Sequence, residues 1–232
     1  MSTWRKSYPF IRQRGLHLVG IMAAFLAGAA ALSPGVLVAQ SPAQTENSVQ
    51  VGDHWTIDTR DEITGSPTDT FIRVVTEVSP NEIVIRVNNR SKNTSGIVVY
   101  NRNWDRIETS SWRYKPNDGL GIRVPLAVGK EWRSELDARN TQSGGANKIT
   151  VSSKVTAQES ITTPAGTFDA FKVETKEREI VANNPSRAWD SEFVSWYAPQ
   201  VNYWVRRTFL TKLQKRTTQN TSEELVAYGR KQ

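Results

Sequence analysis

Few residues in this chain could do chemistry by their type and spacing. Beyond residue 39 there is a single histidine, His54, and there is no cysteine anywhere. The several His or Cys ligands of a tetrahedral zinc site are therefore missing. Asp53, Asp58, Asp61 and Glu62 come nearest to an oxygen-rich cation site, but they lack the regular spacing of a calcium loop. His54 could serve a Ser-His-Asp triad only beside an exposed serine, and no Gly-x-Ser-x-Gly elbow occurs. Paired carboxylates suffice for glycoside hydrolysis. Asp190 with Glu192, or Glu177 with Glu179, would share a strand face roughly 7 Å apart. Alternation makes such pairs freely, so neither marks a site. No Gly-rich phosphate loop is present. The reading is of no catalytic residue, no metal and no cofactor, and a non-enzymatic role is expected.

Aromatic residues are the stronger lead. Trp55, Trp104, Trp112, Trp132, Trp189, Trp196 and Trp204 are many for a domain of this size. Trp55 and Trp132 follow similar openings, Val51-Gly52-Asp53-His54-Trp55 and Val128-Gly129-Lys130-Glu131-Trp132. They are expected to be equivalent core residues, one in each repeated half. Near the C-terminus, alternation sets Trp196 and Tyr197 on opposite faces of one strand, and likewise Tyr203 and Trp204. Not all four can face one core. Trp196, Tyr197, Tyr203 and Trp204, with Arg206 and Arg207 to meet an anionic group, form the expected ligand or partner surface.

The elements that must position them read as strands. Ile83, Ile85 and Val87 alternate on one face, as do Ile149, Val151 and Val155 opposite Thr150, Ser152 and Lys154. Turn clusters such as Thr64-Gly65-Ser66-Pro67, Pro116-Asn117-Asp118-Gly119 and Asn183-Asn184-Pro185-Ser186 separate the runs. The fold class is all-β. An antiparallel meander of about eight to ten strands is expected, forming a barrel, half-barrel or sandwich. Its halves would span 51–120 and 128–232, with Thr70–Val78 answering Lys148–Thr156.

Residues 1–39 have the pattern of a secretory signal: Arg5, Lys6, Arg12 and Arg14 without an acid, an apolar run, then Pro34-Gly35 before Leu37-Val38-Ala39. Residues 40–50 read as a flexible linker and 51–232 as one β domain. An uncleaved anchor is the rival, since Leu16 to Ala39 is long enough to span a bilayer. The chain holds 30 basic and 23 acidic residues, and subtracting the four basic residues of the leader leaves 26 against 23, or +3. That is an ordinary soluble surface, so nucleic acid is not an expected partner. Without cysteine there is neither a disulfide nor a lipidation site, which leaves a periplasmic or secreted protein with no membrane span after cleavage.

Three motifs then bear on kinship: Thr162-Thr163-Pro164-Ala165-Gly166-Thr167-Phe168, Ser195-Trp196-Tyr197-Ala198-Pro199-Gln200-Val201, and Glu224-Leu225-Val226-Ala227-Tyr228. In that order they resemble uncharacterised bacterial exported β-rich proteins of the DUF3108/TapB-like type. The chain differs at Asn202, where glycine is common, and at Arg207, where an acid is frequent. The resemblance implies a β-rich exported protein and carries no activity. A looser similarity to LolA-like periplasmic half-barrels implies a lipid or other apolar ligand. The alternative is an envelope scaffold that docks a protein partner through the aromatic C-terminal strands.

Overall fold

The computed structural model describes residues 48–230. The expected signal and most of the linker lie outside the described residues. Twelve strands run as an antiparallel meander in which each pairs with the next and the last pairs with the first, closing a barrel. They are β1 (Asp53–Asp61), β2 (Pro67–Val78), β3 (Glu82–Asn89), β4 (Thr94–Asn101), β5 (Arg106–Glu108) and β6 (Trp112–Lys115), followed by β7 (Glu131–Asn140), β8 (Ala146–Thr163), β9 (Gly166–Val181), β10 (Asn184–Ala198), β11 (Tyr203–Leu213) and β12 (Arg216–Arg230). Closure settles the choice between barrel, half-barrel and sandwich. The count exceeds the expected eight to ten because β5 and β6, at three and four residues, are too short to show a period.

Closure leaves no unpaired edge. The seam between β1 and β12 runs from Asp53 opposite Arg230 to Asp61 opposite Thr221. Arg230 donates from Nη2 to Asp53 Oδ2 at 3.1 Å, clamping the seam at its end.

The two Val-Gly turns set the start of β1 and of β7. Gly52 and Gly129 sit at φ 91° and 90°, a left-handed conformation that glycine adopts without a Cβ penalty. Gly52 N–H donates to Val75 O at 2.9 Å, and Gly129 N–H donates to Val155 O at 2.8 Å. Each acceptor lies next to a register shift, after Val75 in the β2–β3 pair and after Val155 in the β8–β9 pair. Val75 therefore corresponds to Val155, two residues from the alignment expected from the sequence. The β1–β2 and β7–β8 turns also match. Asp61 Oδ1 accepts from the N–H of Ile63 and Thr64, and Asn140 Oδ1 accepts from the N–H of Gln142 and Ser143.

One end of the barrel is packed with aromatic rings. Trp55 stacks on Tyr203 with centroids 4.4 Å apart, and Trp104 meets Trp55, Tyr203 and Trp204 edge-on at 5.8, 5.1 and 5.6 Å. The connection between β6 and β7 folds over this end and buries Ile122 and Leu126 against the cluster. Gly121 allows the approach: a Cβ there would lie 2.1 Å from Asn103 O. Asp105 anchors the same loop by accepting from the Gly121 N–H at 2.7 Å. Val49, at the close of the expected linker, is buried in the cluster too. Burying this much aromatic surface stabilises the end strongly, at about 25 cal/mol per Å² of apolar area.

Candidate functional site

The opposite end is the hairpin end, and from it the barrel is hollow. A cavity of about 1060 Å³ extends from Thr68, Lys92 and Gln219 at the mouth to Tyr100, Ile122 and Trp204 at the floor. Thr68, Lys92 and Gln219 are exposed. Its walls are apolar and aromatic in part, with Phe71, Trp189, Phe193 and Phe209 among them. Phe193 and Phe209 face each other across β10 and β11, with centroids 5.5 Å apart.

The lumen also carries charge. Arg73 sits on the inward face of β2 between Phe71 and Val75. It donates to the Tyr203 hydroxyl at 2.6 Å and to Glu223 Oε1 at 3.2 Å. Burial opposes its charge, but the Tyr203 hydroxyl and Glu223 outweigh that and hold Arg73 protonated more firmly than usual. Burial likewise pushes the Tyr203 hydroxyl up to about 12, against the pull of Arg73. Nearer the mouth Asp69 accepts from Asn89 at 2.8 Å and from Lys92 at 3.0 Å, and these bonds, Asn89's first, hold its carboxyl below the usual range. Glu179 accepts from Asn147 at 2.5 Å.

Arg106 and Arg207 are differently placed. Arg106 donates to the Tyr114 hydroxyl at 3.3 Å, and its guanidinium lies 5.4 Å from that ring. Arg207 donates from Nε to Ser195 Oγ at 3.2 Å, with its guanidinium 4.8 Å from Trp204 and 4.7 Å from Phe209. Burial, reinforced by Arg73, lowers the proton affinity of Arg207 despite Glu223 and Tyr203. Glu177 stands on the same lumen wall. Burial pushes its carboxyl up to about 7; Arg106 and Arg207 pull it down, and Glu179 adds to the rise.

The six residues expected as a surface part company here. Tyr197, Tyr203 and Trp204 are buried at the aromatic end. Trp204 and Arg207 also line the lumen. Trp196 and Arg206 lie on the outer face, where the Trp196 ring sits 5.8 Å from both Lys172 Nζ and the Arg206 guanidinium and its Nε1 donates to Glu159 at 2.6 Å. Strict alternation would place Tyr203 and Trp204 on opposite faces, yet both are buried. Both rings pack edge-on against Trp104 at this end, while the register shift that leaves Val205 unpaired changes the phase only between Trp204 and Arg206.

Sequence reading did not single out Arg73, Arg106 or Glu223, and it passed over Glu177 and Glu179 as chance alternation. One signal was there: Arg73 interrupts the apolar series Phe71, Val75 on a strand face that must point inward. Asp190, by contrast, is exposed on the outer face and paired with Arg178 at 2.7 Å. Among the described residues no group of three or more His, Cys, Asp or Glu could hold a metal ion, and no helix is long and apolar enough to cross a membrane. On the outside of the barrel β9 turns Glu174, Lys176 and Arg178 to solvent.

Two solved structures share this fold. A presumed exported protein with a YmcC-like fold from Bacteroides fragilis superposes with a TM-score of 0.55 at 17% identity, covering 78% of this chain and 97% of that one. A presumed lipoprotein from Parabacteroides distasonis gives a TM-score of 0.50 at 15% identity, covering 78% and 96%. Among curated proteins none matches. The DUF3108-like family model matches residues 128–214, and it is over this stretch, from β7 to β11, that the resemblance of the chain to the DUF3108 family is carried.

Proposed function

We propose that this protein is a non-enzymatic module of the bacterial envelope, periplasmic or secreted, that holds a lipid or other apolar ligand inside its barrel. The cavity of about 1060 Å³, open at the hairpin end and walled by Phe71, Phe193 and Phe209, carries the reading. Its size is at the upper end of small-molecule sites, which run to roughly 1,000 Å³. A barrel that needed only stability would fill that space with side chains. The leader-like residues 1–39 and the exported or lipoprotein descriptions of the two structural neighbours support the location. We also read the chain as two repeated halves, 51–120 and 128–232, supported by the matching glycine turns and Asx turns.

Native mass spectrometry of protein taken from its own periplasm tests the function. A bound apolar molecule released on denaturation is expected. It should be lost in Phe193→Ser/Phe209→Ser and kept in Trp196→Ser/Arg206→Ser. An empty lumen in the unaltered protein overturns the reading.

A second reading rests on Trp196. An indole on the outer face held between two cations is a docking feature, and an envelope partner would use it together with Arg206. Loss of a co-purifying protein in Trp196→Ser/Arg206→Ser, with the lumen variant unaffected, would favour this scaffold role.

A further inference from the structure

We propose that Arg106 and Arg207 form an anion seat within the lumen, which takes the carboxylate head of an amphipathic ligand whose tail lies along Phe71, Phe193 and Phe209. This rests on the lumen reading above and adds the class of ligand and its orientation.

The argument is one of unmatched charge. Of the cations facing the lumen, Lys92 is paired with Asp69 and Arg73 with Glu223. Among the described residues neither Arg106 nor Arg207 has a carboxylate within 4.0 Å, although both line the same cavity. Their bonds to protein are to neutral hydroxyls, one each, at Tyr114 and Ser195. A guanidinium carries five donors in a fixed fork, so most donors on each are free to meet a ligand. Taking an uncompensated charge out of bulk water is costly, and in a protein such charges are paired or coordinate something. The aromatic faces of Trp204, Phe209 and Tyr114 hold the two guanidiniums by stacking, which fixes their position without neutralising them.

Glu177 is the internal competitor for the seat. It lines the cavity and acts electrostatically on both arginines, yet it makes no ion pair with either among the described residues. The charged groups that face it are Arg106 from β5, Arg207 from β11 and Glu179 from its own strand. Its cross-strand neighbours, Val151 on β8 and Ser191 on β10, are uncharged. A protonated Glu177 leaves Arg106 to the ligand and Arg207 facing Glu223, which is already bonded to Arg73, while an ionised Glu177 opposes the incoming carboxylate. Dodecanoate should therefore bind more tightly as pH falls from about 8 toward 6, across the raised carboxyl's titration.

The tail has an apolar course. Phe209 touches Arg207 on one side and Phe193 on the other, so the aromatic wall begins at the seat and runs toward the mouth. Phe71 lies beside Arg73 on β2 and lines the same cavity.

The experiment is calorimetric titration of the delipidated protein with dodecanoate, dodecanol and dodecyltrimethylammonium. Dodecanoate should bind at least about tenfold more tightly than dodecanol, the least that one charge-assisted contact supplies, and the cation should bind least. Arg207→Met and Arg106→Met should each weaken dodecanoate by about tenfold or more while leaving dodecanol unchanged, which also shows that the lumen is intact. Arg207→Lys should fall between. Should the methionine variants fail to fold, Glu177→Gln carries the test: it should tighten dodecanoate at pH 8, flatten its pH dependence and not move dodecanol. Equal binding of dodecanoate and dodecanol overturns the anion seat and leaves the lumen reading standing. Binding of none of the three amphiphiles overturns both.

Discussion

At the aromatic end of the barrel Trp55, Trp104 and Tyr203 use their rings to exclude everything else, with Trp55 2% exposed and Tyr203 1% exposed. Toward the hairpin end Phe193, Phe209 and Trp189 are aromatic too, yet they stand around empty space and share their wall with Arg106, Arg207 and Glu177. The difference comes from the connections. The β6–β7 connection brings Ile122 and Leu126 over the aromatic end, whereas the hairpin end has only tight turns such as those at Asp61 and Asn140, which are too short to fold inward. Aromatic content alone thus does not decide whether a barrel is packed or hollow. What decides it is whether a loop supplies the missing volume.

The largest effect expected is at the packed end. Trp55→Ala should cost about 3 to 5 kcal/mol, the range for emptying a large aromatic site. Trp132→Ala should cost less, because Trp55 Nε1 donates to Val201 O at 2.9 Å while the buried Trp132 Nε1 has no partner. A gap of about 1 kcal/mol, the net worth of one hydrogen bond, is expected between the two variants. Guanidinium titration of both is the measurement, and a Trp55→Ala change under about 1 kcal/mol would show that this end is not packed as described.

Next in size is an effect of pH that belongs to the hollow end alone. Burial raises the Glu177 carboxyl from 4.5 to about 7. A carboxyl raised in the folded state contributes stability that is complete below its unfolded value and is lost as pH rises through its folded value. Thermal stability of the unaltered protein should therefore fall between about pH 5 and pH 8 through this group. Glu177→Gln should be the more stable protein at pH 8 and should lack that slope. An identical slope in the variant would mean that the carboxyl is fully solvated, and the contrast between the ends would lose its electrostatic half.

Phe209→Ala should cost less than Trp55→Ala, below about 2 kcal/mol, because the ring is only half-buried and its removal enlarges an existing cavity instead of opening a new one. A loss equal to that of Trp55 would show that the lumen is closed in solution. Trp196 is half-buried against the core cluster from the outer face, so Trp196→Ser should likewise stay below about 2 kcal/mol. The smallest effect is expected at the exposed Arg206, where Arg206→Ser should change stability by no more than about 1 kcal/mol.

Much of the fold was legible because strand periodicity is a local property. Ile83 and Ile85, or Ile149, Val151 and Val155, declare an inward face within a few residues. Trp55 and Trp132 were readable as buried residues for the same reason, through the glycine turn that precedes each. The short strands β5 and β6 were not, since three or four residues show no period. Tyr203 and Trp204 illustrate a second failure, for Trp104, about a hundred residues away in the chain, packs against both rings, and alternation along one strand cannot show that. The candidate site was legible only in part. Arg207 was named from its neighbourhood of aromatics, but Arg206 beside it faces outward, and nothing in the local sequence separates the two before the register is known.

The amino-acid sequence by itself determined that this protein is all-β, that its strands are antiparallel and joined by tight turns, and that a Val-Gly turn opens both β1 and β7, because turn chemistry and period-two patterning act between residues close in the chain. It could not determine closure, since whether β12 returns to β1 depends on the summed twist and tilt of every strand between them. Nor could it determine the lumen. Arg106 and Arg207 are 101 positions apart, Glu177 lies between them in sequence, and Phe71 comes from β2, well before all three. They share one cavity only because the barrel closes around it, and an inward-facing charge has meaning only once there is an inside.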